Sequence, residues 1–203
     1  MKLGRFCMSA VDRLQIPYFL SRVFPGSTFS FGGKVFEYFF SKVNMTWRTE
    51  RIVEIPLATE FIGDDWGFLE VGDVLCQYGF RTHFVVDLFS KRLGVQNKDI
   101  VTYDSIHFYD KIVCISTLEH IDDFVGALKN MESLLNWNGC LFVTVPVGWN
   151  RELDLYLIEN YLCRFMKRTG KCSWVETDSV DGIVYDSPFI AGNGLIIVEV
   201  CRG

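Results

Sequence analysis

Three carboxylates, a glycine and an imidazole are the residues of this chain whose types and positions suit chemistry. Glu70, Asp87 and Asp99 follow one another at or near the ends of short apolar runs. The first run closes in Leu69-Glu70-Val71-Gly72-Asp73, the second at Asp87 with Leu88 after it, and a short third precedes Asn97-Lys98-Asp99-Ile100. A fourth run ends in Ser116-Thr117-Leu118-Glu119-His120. Carboxylates accept hydrogen bonds from hydroxyls and amines, and glycine lets backbone approach a ligand closely. Imidazole takes up a proton near neutral pH. His83 begins a run and His107 lies in a polar connection, so His120 is the best-placed general base of the three histidines.

These positions need a scaffold that brings run ends together, and the pattern supplies one. Apolar runs at 68–71, 84–88, 111–115, 140–145 and 195–200 are short, rich in Val, Ile and Phe, and lack strict alternation. Such runs suit strands buried on both faces of a mainly parallel sheet, whose ligand crevice lies beyond the strands' carboxyl ends. Helical spacing predicts a helix over 122–136, stopped by Asn138-Gly139, and another over 151–167. Residues 170–193 read as a loop anchored by Trp174 and Tyr185.

Composition bounds the partners. The 203 residues include 31 aromatics, enough for one packed core, and a net charge of -5 disfavours nucleic acid. Residues 1–50 carry a local charge of +4 against -9 for 51–203, and eight Phe residues fall in that first segment. We therefore read 1–50 as a helical, aromatic-rich cap on a main domain at 51–203. The seven cysteines form no C-x-x-C pair, which argues against structural zinc, and Cys114 and Cys140 sit in apolar runs as small hydrophobes. No signal peptide precedes Asp12 and Arg13 and no run is long enough to span a membrane, so a reducing, cytoplasmic setting is expected.

Over 50–203 the chain resembles the class I S-adenosylmethionine-dependent methyltransferases. Glu70-Val71-Gly72 is similar to the start of their glycine-rich motif, Val85-Val86-Asp87 to their second-strand acid, and Asn97-Lys98-Asp99-Ile100 to their adenine-contacting turn. Tyr109-Asp110-Lys111-Ile112-Val113 resembles their fourth strand, and 135–141 the loop entering the fifth. The resemblance implies a Rossmann-like α/β fold with helices on both faces and S-adenosyl-L-methionine as cofactor. It implies cofactor contacts at Glu70, Gly72, Asp87, Leu88, Asp99, Ile100 and Ser116. Asp87 would accept both ribose hydroxyls, Asp99 the adenine amine, and Glu70 would lie near the cofactor's ammonium. The glycine run is reduced to Gly72 and Gly79, with Asp73 between them where a nicotinamide cofactor's pyrophosphate would be repelled.

On the acceptor side, 116–121 lacks the Asn/Asp-Pro-Pro-aromatic signature of nucleic-acid amine methyltransferases. With 144–150 and Asp154 it resembles methyltransferases of glycan and lipopolysaccharide assembly. That resemblance implies a sugar hydroxyl acceptor, such as that of a deoxyhexose like rhamnose, and a domain fused to or docked on a glycosyltransferase of viral type. His120 is the expected base and Asp154 the next candidate. Trp149, Asn150 and Tyr185, with Trp174, are what a sugar pocket uses. Arg51 and Glu54 either touch the cofactor or form a surface ion pair. Glu119, Asp122 and Asp123 offer oxygens to magnesium, but capping explains the aspartates and no metal is expected. A small-molecule or protein methyltransferase, or a non-catalytic interaction module of the same fold, remains open.

Overall fold

A computed structural model describes residues 27–64, 67–80 and 83–203. Among them, β1 (Thr28–Phe31) and β2 (Lys34–Glu37) form an antiparallel hairpin. The main sheet is built from β3 (Leu69–Val71), β4 (Phe84–Val86), β5 (Tyr109–Ile115), β6 (Leu135–Pro146), β7 (Cys163–Gly170), β8 (Ser173–Thr177) and β9 (Gly194–Cys201). The helices are α1 (Arg51–Ile62), α2 (Phe124–Ser133) and α3 (Arg151–Asn160). Strand order is β4-β3-β5-β6-β9-β7-β8. The first four are mutually parallel, β9 runs antiparallel to both β6 and β7, and β8 antiparallel to β7, so five of the seven share a direction.

The sheet is buried on both faces, as the unbroken apolar runs require. Ile112 and Cys114 of β5 pack with Leu128 and Met131 of α2 and Leu153 and Leu157 of α3, while Val113 and Ile115 pack with Ile52, Ile55 and Ala58 of α1. This two-sided arrangement is Rossmann-like. Pro56 lies inside α1 and has no N–H to give the Ile52 carbonyl. That carbonyl accepts instead from Phe39 N, 3.0 Å away, which ties the segment after the hairpin to the helix.

Five expectations need correction. The helix expected over 122–136 stops at Ser133, and Leu135 and Asn138-Gly139, read as its end and as a loop, belong to β6. The described part of the 1–50 cap is the hairpin followed by a 3-10 segment (Val43–Arg48), not an α-helix; residues 1–26 lie outside the described residues. Phe29 and Phe31 alternate inward and Gly32-Gly33, both at positive φ, turn the chain, so a period of two prevails. The helix expected over 151–167 stops at Asn160. Beyond it β7 alternates, burying Met166 and Arg168, and the inward charge of Arg168 disguises the strand. The loop expected over 170–193 contains β8, whose Trp174 lies in the core beneath the hairpin. Cys140, read as a small hydrophobe, pairs with Cys201 in a disulfide, because the β6/β9 register sets the two opposite each other. No described helix is long and apolar enough to cross a membrane.

Candidate functional site

Beyond the carboxyl ends of β3, β4 and β5 opens a cavity of about 730 Å³ whose lining includes Gly72, Asp87, Leu88, Asp99, Ile100, Ser116 and His120. Its place follows from parallel strands ending together. Gly72 has φ +88, and a Cβ there would overlap the Thr117 hydroxyl. Only glycine lets the first turn pass so close to the β5 end. Asp87 shapes the next turn: its Oδ1 accepts from Phe89 N at 2.8 Å and Ser90 N at 2.6 Å, and its Oδ2 from Asp73 N at 3.2 Å. Asp99 closes a similar turn by accepting from Val101 N at 2.9 Å. A carboxylate has about four acceptor sites, so both keep capacity for ligand donors.

A buried polar network supports the third wall. Ser116, at the end of β5, has φ 35, a left-handed conformation costly for serine. Its N–H donates to the Thr144 carbonyl at 2.9 Å and its hydroxyl to Glu54 Oε1 at 2.7 Å. Thr144 Oγ1 donates to the same oxygen at 2.7 Å, and Arg51 pairs with Glu54 Oε2. Glu54 is fully buried, so the surface reading of the Arg51–Glu54 pair is corrected: it lies inside, beneath Ser116. Burial opposes the Arg51 charge, yet Glu54 and Glu50 prevail and raise its pKa.

A second cavity, of about 500 Å³, is lined by Glu50, Arg51, Trp149 and Tyr185 among others. Trp149 meets His120 edge to face on one side and Tyr185 on the other, with centroids 5.0 and 4.9 Å apart. These rings link the two cavities. Burial, then the Arg51 charge, lowers the His120 pKa. Burial pushes neighbouring Glu119 up to about 8, and its Oε2 is buried without a hydrogen-bond partner.

Sequence-predicted residues outside the cavities have other tasks. Glu70, expected near a cofactor ammonium, points away from the larger cavity: Oε1 accepts from Val74 N at 2.7 Å and Leu75 N at 2.5 Å, and Oε2 meets His83 Nε2 at 2.6 Å. Asn150 caps α3 by accepting from Leu153 N, and so is engaged with backbone instead of lining a sugar pocket. Asp154, the reserve base, accepts from Gly148 N at 2.7 Å and lines neither cavity; it holds the turn that carries Trp149. Trp174 is core. Asp123 caps α2 through Gly126 N. Thr117, which fixes the need for glycine at 72, has no signal in sequence because the contact joins two strand ends.

The sequence matches no protein-family model and no curated protein. Its chain path is similar to several solved structures. The N-methyltransferase NodS from Bradyrhizobium japonicum WM9, solved with S-adenosyl-L-homocysteine, is 15% identical over 67% of this chain and 77% of that one, with a TM-score of 0.43. A possible histamine N-methyltransferase from Thermotoga maritima is 13% identical over 68% and 82%, with a TM-score of 0.46. An rRNA methylase from Streptococcus thermophilus is 9% identical over 73% and 96%, with a TM-score of 0.48. In each case the likeness is one of chain path, with a score below 0.5.

Proposed function

We propose that this chain is an S-adenosyl-L-methionine-dependent O-methyltransferase whose acceptor is a sugar hydroxyl. The observation that carries the reading is the pair of cavities joined at His120 and Trp149. The larger one fits the cofactor: its volume is that of a small-molecule site, Gly72 leaves room at the first turn, and Asp87 and Asp99 bring acceptors to the second wall. Asp87 holds the ribose hydroxyls and Asp99 the adenine amine, with Leu88, Ile100 and Ser116 around them.

The cofactor supplies an electrophilic methyl carbon when bound. The chain's own work is to place the acceptor oxygen in line and take its proton. His120 is suited to that because its lowered pKa leaves the ring unprotonated at neutral pH. Trp149 and Tyr185 offer faces to the C–H surface of a sugar, and Glu50 and Arg51 offer polar groups to its hydroxyls.

Calorimetry with S-adenosyl-L-homocysteine, followed by a screen of glycosides, small amines, proteins and nucleic acids for homocysteine-releasing turnover, tests the reading. Asp87→Ala should weaken cofactor binding by about 2–4 kcal/mol, and Asp87→Asn, which keeps one carbonyl for the turn, by less. Absence of binding by the parent chain ends the cofactor assignment. Turnover of amines, proteins or nucleic acids with every glycoside inert ends the acceptor assignment.

A further inference from the structure

We propose that Glu70, Cys76 and His83 form a zinc(II) site on the far side of the first turn from the larger cavity. Their ligand atoms, a carboxylate Oε2, a thiol Sγ and an imidazole Nε2, lie within 4.8 Å of one another. Glu70 Oε2 is 2.6 Å and Cys76 Sγ 3.7 Å from His83 Nε2, and the Glu70 and His83 side chains are each 1% exposed. One sulfur, one nitrogen and one carboxylate oxygen are a borderline-soft set that suits zinc and not magnesium or calcium, leaving a fourth position for water. Zinc bonds of roughly 2.0–2.3 Å set tetrahedral ligand atoms roughly 3.3–3.7 Å apart, so the sulfur–nitrogen spacing already fits and the Glu70–His83 contact opens by less than about 1 Å.

The surroundings hold these atoms as outer partners hold metal ligands. Two backbone N–H groups fix Glu70 Oε1 and so aim Oε2 at His83. The Phe68 ring stacks on His83 at 4.4 Å and 9°. The Asp73 carboxylate, bound through Oδ2 to Ser90 and Arg92, adds negative charge beside the thiol. Zinc binding exchanges the thiol S–H bond for a sulfur–zinc bond and releases that proton to solvent. The proton between His83 Nε2 and Glu70 Oε2 leaves that position too, to Nδ1 if the ring is neutral or to solvent if it is charged, so His83 binds through Nε2 as the neutral ring with one proton on Nδ1. The ion thus staples the short turn Leu75–Tyr78 to the start of β4, a task that no C-x-x-C spacing announces.

The test uses the full chain purified without chelator, with zinc content measured and cobalt(II) titrated as a spectroscopic probe. We expect one zinc per chain, a thiolate-to-cobalt charge-transfer band with the visible bands of four-coordination, and a fall in Tm on chelation that added zinc reverses. Cys76→Ser should abolish the charge-transfer band, and His83→Gln, which removes a ligand, should weaken cobalt binding by about 100-fold or more, beyond what loss of an outer partner costs. X-ray absorption at the zinc edge of the parent chain needs no variant and should show one sulfur among nitrogen and oxygen neighbours. Failure of the parent chain to retain zinc, a shell without sulfur, or a band that survives Cys76→Ser would overturn the proposal and leave a hydrogen-bonded Glu70–His83 pair. None of these readouts depends on methyl transfer.

Discussion

The His120 and Trp149 rings meet edge to face, 5.0 Å between centroids and 76° between planes, at the junction of the two cavities. On the proposed reading, a base at this junction would face the cofactor in the larger cavity and an acceptor in the smaller one. His120→Gln should therefore keep S-adenosyl-L-homocysteine affinity while turnover falls by about 100-fold or more. Because its pKa is lowered, activity should hold as pH falls to 6.5 and decline only below that, as the ring becomes protonated. A parent-like rate in the variant would place the base elsewhere.

Glu54 is fully buried and serves three donors: Ser116, Thr144 and Arg51. Glu54→Ala leaves the Arg51 charge without its partner and the Ser116 turn without its tie. Urea denaturation should show a loss of about 3–5 kcal/mol, the usual result of breaking one side of a buried ion pair. A loss below about 1 kcal/mol would mean that water or Glu50 replaces the carboxylate.

Glu119 folds with its pKa raised from 4.5 to about 8 by burial. The neutral carboxyl's contribution to stability is complete below 4.5 and is lost as pH rises through about 8. Burial raises Glu50 and Asp154 in the same direction. Tm should drop as pH rises from about 4.5 to about 8 and level off above that, and Glu119→Gln should flatten much of the slope. A pH-independent Tm in the parent chain would show that Glu119 is ionised throughout.

Gly72→Ala meets two obstacles, a left-handed φ of +88 and the Thr117 side chain. The backbone cost alone is about 1–3 kcal/mol. Pairing the substitution with Thr117→Gly relieves the overlap but not the dihedral. Recovery of stability should therefore be partial, as differential scanning calorimetry can read; full recovery would mean that φ is unstrained.

Much of the scaffold was legible because strands buried on both faces write themselves as uninterrupted apolar runs: β3 to β6 and β9 stand where those runs stand. Gly72, Asp87, Asp99, Ser116 and His120 were legible as run ends, since parallel strands deliver their ends to one place. What failed depends on contacts between distant residues. Arg168 donates to the carbonyls of Arg48, Lys171 and Ile190. That satisfies a charge inside β7, and no local pattern announces it. Glu70 looked like a cofactor ligand until the turn after β3 folded its backbone N–H groups onto the carboxylate. Cys140 was legible as apolar, but its partner is 61 residues away.

The place of β9 has a consequence for the order of folding. β7 and β8 form a hairpin from neighbouring residues, yet β7 reaches the parallel half of the sheet only through β9, which is itself the last strand in sequence. Until β9 slots between β6 and β7, those two strands present unpaired edges separated by a strand-wide gap. The β6–β9 pairs join residues 49 to 61 positions apart, the kind of long-range pairing that slows folding, whereas β7 and β8 pair locally. A chain caught before β9 docks carries two open β edges, the surfaces through which partly folded proteins stick to one another.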